Sequence, residues 1–257
     1  MKKRPAPPLR SIDFVVPIYN EEFAVGRSVE ELHRRLSLMD LPQWRIVIMD
    51  NGSTDDSELV SKAVAERLDR VVYEKLEVKG RGFALRHTWT RTDADASLYM
   101  DVDLSTDLAV VPEFVRLLED GADMVVGSRL AGTSKTKRCF KREALSRGYN
   151  LLIKALFRPR GFDDAQCGFK AVRLDRVRGV LGLVENNHWF FDTELLLAAE
   201  CSGLDVRSVP VEWVEDTDTR VRIASTVMED LRGLARVRRS LSQKVGALRT
   251  VGVGYHR

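Results

Sequence analysis

Asp101-Val102-Asp103 sets two carboxylates two residues apart, directly after the apolar run 97–100. On a strand, residues i and i+2 project to the same side, so two like charges face one another unless something positive lies between them. A divalent cation meets that need, because Mg2+ and Mn2+ prefer oxygen ligands and often share them with substrate phosphates. The same pair could equally be a solvated strand end with a helix-capping aspartate, and the motif alone leaves both readings open. Two other turns are polar in the same way. Val16-Pro17-Ile18-Tyr19-Asn20-Glu21-Glu22 and Met49-Asp50-Asn51-Gly52-Ser53-Thr54-Asp55 each follow an apolar run and precede a helical stretch. Such turns present backbone N–H groups and carboxylates to a ligand, although Asn20 and Ser53 would also serve as plain helix N-caps.

Acids at strand ends need a sheet to hold them. Residues 12–18, 45–49, 71–73, 97–100 and 123–126 are short apolar runs suited to buried strands. Helical signals fall between them, over 21–38, from the caps at 53–55 to 68, from Gly80 and Gly82 to 90, and over 111–119. Strands alternating with helices predict an α/β protein with a mainly parallel sheet covered on both faces. In such sheets ligands bind outside the carboxyl ends of the strands, which is where Asn20, Asp50 and Asp101 fall. The second half is less regular. It reads as a polar, basic loop over 132–142, an amphipathic helix over 143–157, strands at 169–172 and 206–214, a helix at 193–201 stopped by Gly203, and a final helix over 224–245.

The bulk composition narrows the class. With 257 residues, 44% hydrophobic and 31% charged, the chain is an ordinary globular protein rather than a disordered one. A net charge of only +3 names no partner, and nucleic acid is not among the expected ones. Cys139, Cys167 and Cys201 show no C-x-x-C spacing, which argues against a disulfide scaffold or zinc module and fits a reducing, cytoplasmic compartment. Pro5, Pro7 and Pro8 interrupt the basic N-terminus, so no signal peptide is read there. The longest apolar runs fall far short of the roughly 20 residues of a membrane span.

The order of these motifs carries a likeness. Tyr19-Asn20-Glu21, Asp50-x-Gly52-Ser53, Lys79-Gly80, Asp101-x-Asp103 and Gly127-Ser128-Arg129 follow one another, each after a strand. This series resembles family 2 glycosyltransferases, the inverting enzymes of the GT-A fold, which is Rossmann-like with a small irregular acceptor-side subregion. The runs 101–106, 164–170 and 189–196 narrow the likeness to polyprenyl- and dolichyl-phosphate sugar transferases, the β-glucosyltransferase-like and mannosyltransferase branch. The resemblance implies a division into a disordered basic arm (1–11), a GT-A domain (12–220), a basic amphipathic helix (221–245) and a tail (246–257).

The resemblance also implies roles. Pro17, Tyr19 and Glu21 would line the nucleoside pocket, and Asp50 would face the base. Asp101 would contact the ribose or the metal, and Asp103 would bind the Mg2+ or Mn2+ that neutralises the diphosphate. Lys79 and Arg129 would approach phosphates, Gln166 would sit beside the sugar, and Arg147 and Arg220 would serve the acceptor side. Asn51 stands where most relatives have a second Asp, and Asp107 where many have Pro. A lipid-phosphate acceptor is already anionic and needs little base. A hydroxyl acceptor, the alternative, would need one, with Asp164, Asp192 and Glu194 as candidates. These three could also be a loop turn and helix-start acids.

A lipid substrate requires contact with the bilayer. Residues 143–157 alternate Leu145, Leu151, Leu152, Ile153, Leu156 and Phe157 with basic side chains, the composition of a helix lying on an anionic membrane surface. The same stripe could instead pack on the core. The implied partners are a nucleotide diphosphate sugar, polyprenyl phosphate, the cytoplasmic face of a membrane, and a separate membrane protein that handles the product. A nucleotide-sugar-binding module without turnover, hinted at by Asn51, and a nucleotidyltransferase are weaker readings. The intact Asp101/Asp103 pair speaks against the former, and the missing Gly-rich basic loop after the first strand against the latter.

Overall fold

The computed structural model describes residues 7–134, 136–137, 140–214 and 223–250. The first half alternates as its periodicity demands: β1 (Ser11–Ile18), α1 (Val25–Leu36), β2 (Gln43–Asp50), α2 (Ser57–Arg67), β3 (Val71–Lys75), α3 (Arg81–Arg91) and β4 (Ala96–Tyr99). A 3-10 turn at Leu108–Val110 then leads into α4 (Val111–Glu119) and β5 (Met124–Ser128). After β5 come β6 (Thr136–Lys137), α5 (Phe140–Phe157), β7 (Lys170–Arg173), α6 (Leu174–Leu181), α7 (Phe191–Cys201), β8 (Val206–Pro210), β9 (Trp213–Val214) and α8 (Ile223–Thr250).

Seven strands form one sheet in the order β3-β2-β1-β4-β7-β5-β8. All neighbours run parallel except β7, which is antiparallel to both β4 and β5. The fold is therefore the mainly parallel α/β architecture that the alternation implied, in the GT-A-like form that the resemblance implied. The central strands are buried on both faces, as their near-continuous Val and Ile runs require. Helices cover them through single apolar stripes; in α1, Val25, Val29, Leu32 and Leu36 face the sheet while Arg27, Glu30, Glu31 and Arg34 do not.

Several boundaries differ from expectation. Helix α1 begins at Val25, not at 21, and Asn20 does not cap it; Asn20 instead takes a left-handed conformation with φ 56°. Ser53 does not cap α2 either, since the residue before that helix is Asp56. The segment 206–214 is two strands, β8 ending at Pro210 and β9 beginning at Trp213. Helix α6 had no counterpart in the sequence reading, because its eight residues are too short to display a period. The expected arm 1–11 divides. Residues 1–6 lie outside the described residues, whereas Leu9 is buried and Arg10 forms a two-bond pair with Asp95. The tail residues 251–257 also lie outside the described residues, and α8 continues past 245 to Thr250.

Candidate active site

The first two strand-end loops are laced together. The Asn20 backbone N–H donates to Ser53 Oγ at 2.9 Å and the Glu21 N–H to Ser57 Oγ at 2.7 Å. In return Thr54 N–H donates to Asn20 Oδ1 at 2.8 Å, and Asp56 N–H to Glu22 Oε2 at 3.0 Å. The side chains read as possible caps thus spend their hydrogen bonds between loops, making one rigid pad at the carboxyl ends of β1 and β2. Asp50 anchors it from below. It is fully buried and accepts from Ser53 N–H and the Tyr73 hydroxyl, both at 2.8 Å. Burial and this carboxylate together push the Tyr73 phenol up. Asp50 therefore shapes the pad rather than offering a free carboxylate. Tyr19 and half-buried Pro17 and Glu21 lie on the pad, and Lys79 from the β3–α3 loop sits 3.7 Å above the Tyr19 ring centroid, a close cation–π contact. Asn51 is buried, and its Oδ1 has no hydrogen-bond partner among the described residues.

The second half of the site is built by β7. Because it runs antiparallel beside β4, with Tyr99 opposite Lys170, the loop entering β7 arrives where β4 delivers Asp101. Gly168 lies so close that a Cβ there would stand 2.7 Å from Asp101 Cγ. Asp101, Asp103, Ser105, Thr106, Gly168 and Trp213 line one narrow cleft. Asp103 Oδ1 accepts from Ser105 N–H at 3.0 Å.

Behind the cleft lies a buried charge network. Arg81 donates to Asp101 and lies 3.5 Å from Asp192 Oδ2, with its guanidinium stacked over Trp189 at 4.6 Å. Asp192 also accepts from the Tyr99 hydroxyl and, at 2.9 Å, from Lys170 Nζ. Burial pushes the Asp192 carboxyl up to about 6, with Arg81 opposing. Burial pushes the Lys170 ammonium down to about 7. Asp164 and Arg129 form a second buried pair, with two side-chain bonds at 2.7 and 2.9 Å. Burial works against both charges, but each stabilises the other, leaving the Asp164 carboxyl below and the Arg129 guanidinium above their ordinary values. Glu194 is likewise clamped by Arg236 at 2.7 and 2.9 Å and accepts from the N–H groups of Glu185 and Asn186.

The structure thus gathers Pro17, Tyr19, Glu21, Asp50 and Lys79 at one end of the sheet edge. It gathers Asp101, Asp103, Arg129, Asp164, Gln166 and Asp192 around the ends of β4, β5 and β7. Arg147 is exposed on α5 and pairs with Glu143 one turn earlier. Its neighbour Asn150 does serve the site, accepting from Ala165 N–H at 2.9 Å. Arg220 lies outside the described residues. Asp164, Asp192 and Glu194, the candidate bases, are corrected in one respect: all three are buried and committed to cations. Sequence reasoning missed Arg81, Lys170 and Tyr99. The available signals were a cation between two glycines at a strand-to-helix turn, and a lone Lys inside the apolar run 169–172.

Among the described residues no group of three or more His, Cys, Asp and Glu is arranged to hold a metal. Asp101 and Asp103 supply two carboxylates only, and Arg81 already holds a positive charge against Asp101. Two oxygen donors at an open cleft fit an ion that completes its shell with diphosphate oxygens and water, so the donor set suits Mg2+ or Mn2+ bound together with substrate.

Known proteins resemble this chain in sequence and fold. Residues 13–175 match the profile described as Glycosyl transferase family 2. The chain is 31% identical over 220 residues to "Glycosyltransferase AglD" of Haloferax volcanii, spanning 84% of this chain and 35% of that protein. It is 29% identical over 226 residues to "Dolichyl-phosphate beta-glucosyltransferase ALG5C" of Trichomonas vaginalis, spanning 83% of this chain and 67% of that one. Glucosyl-3-phosphoglycerate synthase from Mycobacterium tuberculosis, solved with uridine diphosphate, superposes with a TM-score of 0.68 at 22% identity, covering 89% of this chain and 80% of that one. It has also been solved with Mn2+, UDP-glucose and phosphoglyceric acid. At that identity the likeness concerns the fold alone.

Proposed function

The chain belongs to glycosyl transferase family 2, and we propose that it is an inverting, metal-dependent hexosyltransferase. In this reading it moves glucose or mannose from a UDP- or GDP-sugar to a polyprenyl phosphate at a membrane surface. One observation carries the choice of acceptor. Each candidate base is buried and already bound to a cation: Asp164 to Arg129, Asp192 to Lys170, Glu194 to Arg236. A hydroxyl acceptor would have to give its proton to a carboxylate, and none of these three is free to take it, whereas a phosphate monoester attacks as an anion and needs no such group. The names of the relatives in the dolichyl-phosphate branch support the same acceptor.

The mechanism follows from charge. The pad formed by the loops after β1 and β2 receives the nucleoside, with Tyr19 and Lys79 at its rim. Asp101 and Asp103 would hold Mg2+ or Mn2+, which when bound would supply Lewis-acid neutralisation of the diphosphate. Arg81 holds Asp101 in place and adds positive charge beside the leaving group. Asp192 and Lys170 keep Arg81 aimed by fixing its second partner. The buried Asp164–Arg129 pair fixes the loop that carries Gln166 to the sugar side. The acceptor then attacks the anomeric carbon from the face opposite the diphosphate, which inverts it.

Helix α5 gives the membrane reading a corrected face. Leu152, Ile153, Leu156 and Phe157 turn inward onto the core, whereas Leu145 and Leu151 are exposed at 43% and 68%. Exposed Arg147 and Lys154 share the face of Leu151, and Leu145 is exposed on the opposite side of the helix nearer its start. Among the described residues no helix is long and apolar enough to cross a membrane. A basic face that carries an exposed leucine suits an anionic bilayer surface.

The test is a turnover panel. Purified protein with Mg2+ or Mn2+ is given UDP- and GDP-sugars, with polyprenyl phosphate or buffer alone. Nucleotide release that needs both metal and lipid is the expected result, and Asp103→Ala abolishes it without lowering Tm. Metal-dependent donor binding with turnover only on hydroxyl acceptors would overturn the acceptor assignment.

A further inference from the structure

Gln166 is held by a residue from the far end of the chain. Its Nε2 donates to Asp230 Oδ2 at 2.8 Å, across 64 positions of sequence. An ionised carboxylate only accepts, so with Asp230 charged the amide nitrogen faces it and the carbonyl Oε1 points the other way. Gln166 itself stands two residues before Gly168, whose backbone presses on Asp101 at the cleft.

Asp230 itself is placed with little freedom. Three turns of α8 are tied to the body around it. Gly233 lets the helix approach Phe190 so closely that a Cβ would meet the ring at 2.5 Å, Glu229 accepts from Asn186 Nδ2 at 2.8 Å, and Arg236 clamps Glu194. Asp230 is buried, and its Oδ1 has no hydrogen-bond partner among the described residues. Burial, reinforced by neighbouring Glu229, pushes its carboxyl up to about 7, with Gln166 opposing. Burying a carboxylate in this way costs stability, and packing does not call for it, since Leu or Asn would fill the space. What a carboxylate does here that an amide does not is dictate which end of Gln166 faces the cleft.

We propose that Asp230 of α8 is a specificity-determining positioning residue: it orients the Gln166 amide so that the carbonyl accepts a hydrogen bond from a hydroxyl of the donor sugar. The inference rests on the donor site proposed above. It gives α8 a task in recognising the sugar half of the substrate, separate from the nucleotide half held by the pad.

The experiment compares binding of the nucleoside diphosphate with binding of the matching nucleotide sugar, in Mn2+, for wild type, Asp230→Asn, Gln166→Ala and the double variant. UDP with UDP-glucose and GDP with GDP-mannose are the probes. Asp230→Asn, which lets the amide face either way, is expected to weaken the nucleotide sugar about five- to tenfold, the worth of one oriented hydrogen bond, and to leave the bare diphosphate unchanged. In the Gln166→Ala background the same substitution should change nothing further. Asp230→Glu, which keeps an acceptor-only group, should recover part of the loss. Equal weakening of diphosphate and nucleotide sugar, or a full additional loss in the Gln166→Ala background, would mean that Asp230 acts by holding α8 and would overturn the proposal. If wild type binds neither donor, the donor reading itself fails and takes this inference with it. If wild type binds and Asp230→Asn is silent, only the inference fails.

Discussion

Replacing Gly168 by alanine should disable the site while leaving the rest of the fold in place. The added methyl carbon would overlap Asp101 Oδ2 and stand 2.7 Å from Cγ and 3.0 Å from Oδ1, against an ordinary carbon–carbon separation of about 3.5–4 Å. Something must move by about 1 Å. The loop is the stiffer partner. It is held by the Asp164–Arg129 pair, by Ala165 N–H on Asn150, and by Gly127 N–H on the Phe169 carbonyl. Asp101 is partly exposed and tied through Arg81, so it yields first. Overpacking of this kind costs about 1–3 kcal/mol, and a domain of this size loses about 2–4 °C in Tm per kcal/mol. Misplacing a group in the reacting site by about 1 Å costs about 100-fold in rate. The expected pattern is therefore a modest fall in Tm, a loss of about two orders of magnitude in kcat/KM, and a higher Mn2+ requirement. Turnover against Mn2+ concentration, with a thermal melt of the same preparation, reads all three. Wild-type turnover with unchanged metal dependence would refute the reasoning, as would a collapse of Tm, since the loop and not Asp101 would then be the element that gives.

Two further predictions concern pH and the membrane. Asp192 keeps its proton up to about pH 6 in the folded state, whereas an unfolded aspartate loses it near about 3.9. The folded state thus binds more protons across that window, and stability contributed at this position falls as pH rises from about 4 to 6 and is flat above. The Tm difference of Asp192→Asn minus wild type should accordingly grow more positive across that window, whatever its absolute sign; a constant or shrinking difference contradicts the burial argument. At the membrane, Leu145→Asp with Leu151→Asp should weaken co-sedimentation with anionic vesicles by about tenfold or more, while Leu152→Asp, which faces the core, should lower Tm instead. Unchanged co-sedimentation of the double variant would remove α5 from the interface.

The alternation of apolar runs and helical periods was enough to read the sheet, the covered faces and the rule that Asn20, Asp50 and Asp101 end strands. Those are local properties: each strand needs only its own run of Val and Ile, and each helix its own stripe. The motif order carried the family for the same reason, because a strand-end acid is recognisable without knowing its neighbours. The direction of β7 was not legible. A four-residue strand reads alike in both directions, and only packing between β4 and β5 makes it antiparallel. That one choice brings Gly168 against Asp101, Asp164 against Arg129 and Lys170 against Asp192. The roles of Asn20 and Ser53 were misread as caps because a cap and an inter-loop bond use the same side-chain oxygen, and the partner 33 residues away appears only once the strands pair. Arg81 and Asp230 stayed hidden for a related reason. A single Arg or Asp has no periodicity, and its meaning lies in the buried partner that the fold supplies: Asp101 and Asp192 for the one, Gln166 for the other. Local patterning therefore determined the scaffold and the class of chemistry, and long-range burial of charge decided which side chains meet, because only the folded chain excludes the water that would otherwise screen them.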